Sequence, residues 1–193
     1  MDDFYPIIRE KLKAAGEYPN SRILPLSLIF IDVVGFSSMN ASERERALDM
    51  IRSLGAVILR AENAMYLNTW GDAIVAAFDS VDDALCCACK FSQHFSLVGH
   101  DSRIGVSWGN VRISKNDIIG GDDFDGDAAN LGARLEAIAD PGSVLCSEEV
   151  ATIAGLESEK FFFTERYKSL SKRVGDRVEG EEIRVFEVRL KSN

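Results

Sequence analysis

The sequence is short of positive charge for its size. Its 193 residues contain 22 Lys and Arg against 31 Asp and Glu, which leaves a formal net charge of −9. A groove that follows a polyphosphate backbone needs a basic surface, so this composition argues against nucleic-acid binding. A small anionic ligand remains compatible with it, provided that metal ions or a few placed cations neutralise that ligand locally.

Long hydrophobic runs are also missing, and no apolar segment approaches the roughly 20 residues that a membrane-spanning helix requires. The first residues, Met1-Asp2-Asp3, are acidic, unlike the positively charged start of a secretory signal peptide. We therefore expect a cytoplasmic protein without membrane contacts. Hydrophobic residues make up 46% of the chain, which is typical of one globular domain with a substantial core.

Cysteine is scarce, and its four copies do not read as a disulfide framework. Cys86 and Cys89 make a formal C-x-x-C inside the apolar helical stretch VDDALCCACKF, and no second ligand cluster accompanies them. Cys87 and Cys146 complete the set. We expect small buried thiols in a reducing compartment, in preference to zinc or redox chemistry.

Predicted strands alternate with helices, without internal repeats or low-complexity segments. The run LSLIFIDVVGF at 26–36 is continuously apolar, as in a strand buried on both faces. A hairpin is predicted where AMYLNT and AIVAAF flank Trp70-Gly71-Asp72. Further strands are predicted at 103–114, at 144–147 (VLCS), at 160–167 (KFFFTERY) and at 183–190 (IRVFEVRL).

Capping and helix-stopping residues predict the helices. The helix over 41–62 is expected to open with a capping box of Ser42 and Glu45, and Ser80 is expected to begin the next helix, over 80–95. Other helices are predicted at 2–16, at 127–138 and at 147–155. The alternation predicts one α/β sandwich domain with a mixed sheet over 21–193, preceded by an N-terminal helical extension over 1–20.

The stretch GGDDFDGDAANLGARLE at 120–136 admits three interpretations. Its first five letters look like the GGDEF signature of diguanylate cyclases, but that hairpin needs an apolar strand after the turn, and Phe124 is followed by acidic residues and a helical run. A calcium loop that starts at Asp123 would have Ala128 where Gly is needed and Arg134 where Glu is needed. Both interpretations fail.

The third interpretation is a helix that presents Asn130 and Arg134 side by side. Their i, i+4 spacing places both on one helix face. Leu131, Leu135 and Ile138 lie on a different, apolar face that can pack against the core. For the two polar residues taken alone, a solvated helix edge is the alternative.

Three motifs together carry a family resemblance. FIDVVGF at 30–36, NTWGDAIVAAF at 68–78 and DFDGDAANLGARLE at 123–136 resemble, in order and spacing, the core motifs of class III nucleotide cyclases. The similarity runs from about Leu26 to Ser147. It implies a ferredoxin-like or palm-type mixed sheet flanked by helices, and conversion of a ribonucleoside triphosphate to a 3′,5′-cyclic nucleotide and pyrophosphate.

The resemblance also implies a metal site and a catalytic pair. Asp32 and Asp72 match the aspartates that hold two divalent ions, Mg²⁺ or Mn²⁺, with the backbone of Val33 beside them. Asn130 and Arg134 match the helix residues that steady the ribose and the transition state. Two-metal catalysis suits this reaction, because one ion lowers the pKa of the attacking 3′-hydroxyl and the other neutralises the phosphates.

Phosphate contacts are expected in two further places. The turn after the first metal aspartate can offer backbone N–H groups to the β- and γ-phosphates, and it consists of Val34, Gly35, Phe36 and Ser37. The family also places a lysine against the triphosphate. Lys168 and Lys172 in the C-terminal segment are the candidates for it, the sequence does not separate them, and ordinary surface lysines are the alternative.

The two halves of a class III site come from opposite subunits, the metal aspartates from one and the Asn/Arg helix from the other. Because this chain carries both halves, the resemblance implies a homodimer with two composite sites. The rival hypothesis is a cyclase-like module that has lost catalysis and serves dimerisation or sensing. Such copies usually lose a metal aspartate or the arginine, and neither is lost here, so we expect an active cyclase.

Base preference is the least determined property. Asn68 and Asp123 fill the positions that purine-specific relatives use for base recognition, and Asn68 departs from the Lys or Glu found there. The pair suits adenine, cytosine or uracil about equally by hydrogen bonding. Tyr66, two residues before Asn68 on the same strand, would fill the space of a purine's second ring, unless it is an ordinary core aromatic.

A cyclase without a separate sensor domain also resembles the pyrimidine cyclases of bacterial antiphage (Pycsar) systems, whose products are cUMP or cCMP. That similarity favours a pyrimidine cyclase, with an adenylate cyclase as the alternative.

Overall fold

A computed structural model of the protein describes residues 21–115, 122–174 and 177–191 and folds them around one eight-stranded mixed sheet. The sheet order is β2-β3-β1-β4-β6-β8-β7, with β5 paired to β4. β4 and β6 run parallel, and the other strand pairs of the described residues are antiparallel. The strands are β1 (Arg22–Val33), β2 (Tyr66–Trp70), β3 (Ala73–Phe78), β4 (Ser102–Lys115), β5 (Asp122–Asp125), β6 (Val144–Ser147), β7 (Phe161–Val174) and β8 (Arg177–Leu190).

The helices cover the two faces of the sheet unequally. They are α1 (Ala41–Ala61), α2 (Val81–Leu97), α3 (Asp127–Ile138) and α4 (Glu148–Ala154), with a 3₁₀ turn at Phe36–Ser38. Side chains of α1, α2 and α4 share the largest buried cluster, whereas α3 packs against two smaller clusters on the opposite face. The predicted α/β fold with a mixed sheet flanked by helices is therefore confirmed.

The apolar run in the central strand β1 is explained by burial of the strand on both faces of the sheet. Leu26 and Leu28 are buried on the face that α3 covers, and Ile29 and Ile31 are buried in the large cluster on the other face. A strand that is covered on both sides needs apolar residues at successive positions, without the polar alternation of a half-exposed strand.

Close approach between backbones sets the position of α3 on the sheet. A side chain at Gly105 of β4 would overlap the carbonyl oxygen of Gly132 and the amide nitrogen of Glu136. The Ser107 hydroxyl on the same strand donates a hydrogen bond of 2.7 Å to the carbonyl of Ala128 in the first turn of α3. Glycine thus lets the helix lie directly on β4, and the residues that α3 carries are placed relative to that strand.

The predicted capping box of the first helix is wrong by two residues. Asn40, not Ser42, caps α1: its Oδ1 accepts from the Glu43 amide at 3.0 Å, and Glu43 Oε2 accepts from the Asn40 amide at 2.9 Å. The Ser42–Glu45 pair has the same spacing but lies inside the helix. The 3₁₀ turn ends just before Asn40, so the chain reaches the helical conformation earlier than the serine indicated.

Several predicted boundaries are also corrected. β7 and β8 each span 14 residues, about twice the predicted length, because they pair with each other along their polar halves. β5 was not predicted at all, and it pairs with the far end of β4. The predicted helix at 2–16 and the extension at 1–20 lie outside the described residues. None of the described helices combines the length and hydropathy needed to span a membrane.

The cysteine thiols are free and mostly buried. Cys87, Cys89 and Cys146 are buried and Cys86 is half-buried. Burial raises the pKa of the Cys87 and Cys89 thiols to about 12, and it also raises that of Cys146. Thiols with such pKa values stay protonated at neutral pH and are poor nucleophiles.

Candidate active site

Two carboxylates lie close together where β1 ends and the β2–β3 hairpin turns. Asp32 is the penultimate residue of β1, and Asp72 follows Gly71 (φ 65°) in the two-residue turn between β2 and β3. Burial raises the pKa of Asp72, and the negative charge of Asp32 raises it further, against an opposing hydrogen bond from its own backbone amide. Asp32 at the end of β1 and Asp72 in the turn are therefore near enough for their negative charges to repel each other.

This donor set fits hard divalent cations. Mg²⁺ and Mn²⁺ favour carboxylate oxygens, and Mg²⁺ typically takes one or two of them and completes its shell with water and substrate oxygens. A cation between Asp32 and Asp72 would relieve their repulsion. Residues 21–115, 122–174 and 177–191 contain no group of three or more His, Cys, Asp or Glu that could form an all-protein cage. The Val33 side chain is buried in the large cluster, which leaves its backbone as the only group that could face an ion.

An arginine that the sequence did not identify is bound to the first metal aspartate. Arg103 of β4 is the register partner of Asp32, and its Nη2 donates to Asp32 Oδ2 at 2.5 Å. That bond raises the pKa of the Arg103 guanidinium. On the other side, Arg103 Nε lies 3.5 Å from Oε1 of Glu136, on α3. The guanidinium thus bridges two acids, one tightly and one loosely.

Glu136 shares the electrostatic environment of the metal aspartates. Its pKa is raised first by burial, then by the charge of Asp32 and more weakly by that of Asp72, while Arg103 opposes the increase. Glu136 lies two residues after Arg134 on α3 and was not singled out in the sequence. A weak signal existed, because an acid at that spacing would fall on the side of the helix that packs on β4.

The polar pair on α3 has the arrangement that its spacing predicted. Asn130 is exposed in the first part of the helix, and Leu135 is fully buried with Leu131 and Ile138 packed around it. Arg134 is half-buried, and its Nη2 is a buried nitrogen without a hydrogen-bond partner among the described residues. This nitrogen is already shielded from water, so donating a hydrogen bond to an anion would cost it little further desolvation.

The predicted phosphate turn is formed in part. Gly35 adopts the left-handed conformation (φ 76°) before the 3₁₀ turn, and its carbonyl accepts from the Ser38 hydroxyl at 2.7 Å. The Val34 amide, however, donates to the carbonyl of Asp101 at 3.0 Å. The predicted role of Val34 in phosphate binding therefore requires that bond to break, whereas Phe36 and Ser37 lie in the first turn of the 3₁₀ segment, where amides point outward.

The two candidate lysines are not equivalent. Lys168 Nζ donates to Asp140 Oδ2 at 2.8 Å, so it already has an acidic partner just after α3. Lys172 lies further along β7, where the side chains are outside the described residues. Its predicted contact with the triphosphate remains a prediction.

The three predicted base-recognition residues come from strands that touch each other. Tyr66 and Asn68 are opposite Ala77 and Val75 of β3, so both point to the face that carries α3. Tyr66 packs against the cluster under α3, and Asn68 is 8% exposed, with its Oδ1 accepting from the next backbone amide at 2.8 Å. β5, which carries Asp123, lies against β2.

Comparison with known proteins identifies the family of the chain. The family model described as the adenylate and guanylate cyclase catalytic domain matches residues 19–184. A putative adenylate cyclase 3 from Rhizobium meliloti is 24% identical over an alignment of 137 residues, and the match covers 64% of this chain and 22% of that protein. The chain therefore spans about a fifth of the length of this curated relative.

Solved structures show the same fold. An adenylate/guanylate cyclase/hydrolase from Silicibacter pomeroyi superposes with a TM-score of 0.64 at 25% identity, covering 88% of this chain and 98% of that one. The guanylate cyclase domain of a protein from Catenaria anguillulae in complex with GTP gives a TM-score of 0.70 at 18% identity, covering 89% and 100%. The expected ferredoxin-like or palm-type sheet is thereby confirmed.

Proposed function

The chain belongs to the adenylate and guanylate cyclase catalytic domain family, and we propose that it is an active class III cyclase. In this proposal it converts a ribonucleoside triphosphate to a 3′,5′-cyclic nucleotide and pyrophosphate. The proposal is carried by the presence in one chain of two repelling carboxylates, Asp32 and Asp72, and of an Arg134 guanidinium nitrogen that has no hydrogen-bond partner among the described residues. Asp32 already has Arg103 as a partner, but among the described residues no cation acts on Asp72 and no acceptor is bound to Arg134 Nη2. A metal-bound triphosphate would supply a partner to each.

Each residue has a distinct task in the proposed reaction. Two divalent ions held by Asp32 and Asp72 would lower the pKa of the ribose 3′-hydroxyl and neutralise the phosphates. Asn130 donates to or accepts from the ribose and so orients the hydroxyl for in-line attack on the α-phosphate. Arg134 offers a planar cation to the negative charge that grows as pyrophosphate leaves.

The proposed assembly is a homodimer with two composite sites. Among the described residues, the face that carries Asn130 and Arg134 has one helix on it, whereas three helices cover the opposite face. A second copy placed against the open face would bring the metal aspartates of one protomer to α3 of its partner. The symmetric arrangement would then build two equivalent sites from identical surfaces.

For the substrate we propose a pyrimidine triphosphate. Tyr66 and Asn68 project from β2 to one face, and β2 lies against the strand of Asp123, so a base held by Asn68 and Asp123 would lie beside the phenol ring. One ring can pack against Tyr66, whereas a second ring would need the volume that Tyr66 fills. Recognition of adenine is the second candidate, and the name of the Rhizobium meliloti relative favours it.

Competition among the four nucleotides tests both levels of the proposal. The protein is incubated with Mn²⁺ and equal concentrations of ATP, GTP, CTP and UTP, and the products are identified by mass. Predominant cUMP or cCMP is expected. Predominant cAMP would overturn the pyrimidine assignment and leave the cyclase intact, while absence of any cyclic product would favour a catalytically inactive dimerisation or sensing module.

A matched pair of β2 variants tests the role of Tyr66. Tyr66→Ala is expected to raise purine turnover relative to pyrimidine turnover by about tenfold, because it opens space for the second ring. Leu67→Ala is the control, since Leu67 is the neighbouring residue on the same strand and is 45% exposed. Unchanged base preference in an active Tyr66→Ala protein would show that Tyr66 is only a packing residue.

The proposed biological setting is cytoplasmic antiphage signalling, based on the resemblance to Pycsar cyclases. Its test is to introduce the gene into a bacterial host together with its genomic neighbours and to measure cUMP and cCMP before and after phage infection. A rise in either nucleotide on infection is expected. Nucleotide levels that ignore infection would remove the defence role and leave the enzymatic proposal standing.

A further inference from the structure

Arg103 occupies an oxygen of Asp32 that the proposed metal site needs. The Nη2–Oδ2 bond is 2.5 Å, and both side chains are partly exposed, at 36% for Arg103 and 25% for Asp32. A guanidinium does not lose its proton in proteins, so it cannot become neutral when a divalent cation approaches. A divalent cation that takes the Oδ2 atom of Asp32 therefore displaces Arg103 from that oxygen.

Glu136 offers the displaced guanidinium its nearest acceptor. Arg103 Nε and Glu136 Oε1 face each other at 3.5 Å, and both atoms are buried without a hydrogen-bond partner among the described residues. A buried donor opposite a buried acceptor, each unsatisfied, is a costly arrangement unless another state satisfies both. A shift of about half an ångström would turn this ion pair into a charge-assisted hydrogen bond.

The backbone holds this acceptor in place. Gly105 lies two residues after Arg103 on β4, and it approaches the α3 backbone so closely that a side chain there would overlap the Glu136 amide. Glu136 thus keeps its position relative to Arg103 while the guanidinium moves. In the described part of the chain, Glu136 does not join Asp32 and Asp72 in a three-acid ligand group, so its place is next to the metal site and not within it.

We propose that Glu136 is a positioning residue that receives the Arg103 guanidinium when a divalent ion replaces it at Asp32. Arg103 is then a counter-ion that moves between two acids: it neutralises Asp32 when no metal is bound and Glu136 when metal is bound. The inference rests on the proposed function only in taking Asp32 as a metal ligand.

Metal affinity measured without nucleotide tests this role apart from turnover. Mn²⁺ binding to the 193-residue chain is followed by electron paramagnetic resonance. Glu136→Gln keeps the size of the side chain and removes its charge, and it is expected to weaken Mn²⁺ binding by about tenfold, the usual effect of losing a partner next to a metal site. The Mn²⁺ concentration for half-maximal turnover is expected to rise by the same factor.

The control is Glu62→Gln, which removes one charge from another ion-paired glutamate. Glu62 is bound to Lys90 and its side chain is 12% exposed, close to the 19% of Glu136. No change in Mn²⁺ affinity is expected for this variant. An equal loss there would attribute the effect to net charge alone and would overturn the proposal.

A double-mutant cycle separates positioning from direct attraction of the metal. In an Arg103→Met background no guanidinium has to move, so Glu136→Gln is expected to change Mn²⁺ affinity by less than about twofold. A tenfold loss in both backgrounds would show that Glu136 attracts the ion itself, and it would overturn the proposal. Arg103→Gln replaces Arg103→Met if the apolar side chain prevents folding between the two acids.

The same samples are assayed for cyclisation, so the two proposals can fail separately. A wild type that makes no cyclic nucleotide but shows the expected cycle would remove the proposed function and keep the role of Glu136. A turnover-competent wild type whose Mn²⁺ affinity is indifferent to Glu136→Gln would do the reverse. A wild type that binds no Mn²⁺ overturns the positioning role, whatever its turnover.

Discussion

The two faces of the sheet differ in what covers them and in what they carry. On the face covered by α1, α2 and α4, Phe91 and Phe95 are fully buried and stack with ring centroids 4.5 Å apart. The face under α3 carries Asp32, Arg103 and Glu136, whose side chains are between 19% and 36% exposed to solvent. The first face provides the main apolar core of the domain. The second carries two acids, Asp32 and Glu136, that both contact one guanidinium.

This contrast teaches where stability and chemistry are separated in the molecule. Apolar burial stabilises a fold in proportion to area, so a face closed by three helices supplies most of the stabilising core. Carboxylates that repel each other reduce stability and are retained where a ligand relieves them. Substitutions on the two faces should therefore affect different measurements.

The largest expected effect is the loss of activity when a metal aspartate is removed from the open face. Asp32→Ala or Asp72→Ala is expected to abolish cyclisation, because each removes a carboxylate ligand for the divalent ions. Far-ultraviolet circular dichroism and gel filtration should match the wild type, since neither residue is in the core. Turnover within a few-fold of wild type in either variant would contradict the two-metal assignment.

Substitutions on the face covered by α1, α2 and α4 should lower the stability of the fold. Phe91→Ala is expected to lower the free energy of unfolding by about 3–5 kcal/mol, because it removes a fully buried ring and leaves a cavity. Urea denaturation measures the change. Leu97→Ala at the end of the same helix is the control, since Leu97 is 83% exposed and should cost about 0.5 kcal/mol or less. Equal losses for both would mean that the helix end is buried in an assembly.

Mixing two inactive variants tests whether the open face is completed by a second copy. Asp72→Ala and Arg134→Ala chains, combined in equal amounts and allowed to exchange subunits, are expected to regain about a quarter of wild-type activity, because half of the dimers then hold one intact site. Subunit exchange is verified by mass spectrometry. Exchange without recovered turnover would place both halves of the site within one chain.

The smallest expected effect is a gain in thermal stability when Asp72, whose loss is expected to abolish turnover, is replaced by Asn. The pKa of Asp72 is raised in the folded protein by burial and by Asp32, so its ionised form destabilises the fold. Asp72→Asn should therefore melt a few degrees higher than wild type at pH 7 without metal, by the usual scale of such changes.

The sign of the pH dependence follows from the same shift. As the pH falls below the folded-state pKa, wild-type Asp72 becomes protonated and loses its repulsion, so the stability advantage of Asp72→Asn should disappear. Thermal melting in the presence of a chelator, at pH 7 and near pH 4, measures both differences. A variant that melts lower than wild type at pH 7 would show that Asp72 contributes a structural hydrogen bond that outweighs the repulsion.

Local features were predictable where the sequence contains the physical cause. The helix at 127–138 was predicted with its observed bounds because an acidic start, an apolar face and a Pro-Gly stop all act within the helix itself. The β2–β3 hairpin was equally local. The family resemblance drawn from three short motifs is confirmed, since those motifs combine turns and helix positions that neighbouring residues determine.

Predictions were wrong or missing where contacts with residues outside the segment determine its length or boundary. β7 and β8 extend through polar segments because each supplies the hydrogen bonds of the other, which no pattern within one strand reveals. The capping box moved to Asn40 because a preceding 3₁₀ turn ends there. The roles of the predicted site residues remain predictions that the variants above can test.

The amino-acid sequence by itself determined which residue types were available for chemistry, and in which local setting: an acid at a strand end, an acid in a hairpin turn, and a polar pair one helical turn apart. Only the tertiary structure decided that Arg103 faces Asp32 across two strands and that Glu136 reaches the same guanidinium from α3. The first follows from β-strand register, which is a property of two segments 71 residues apart. The second follows from a helix that lies directly on glycine, so that its position is set by the close approach of two backbones and not by any periodicity within the helix.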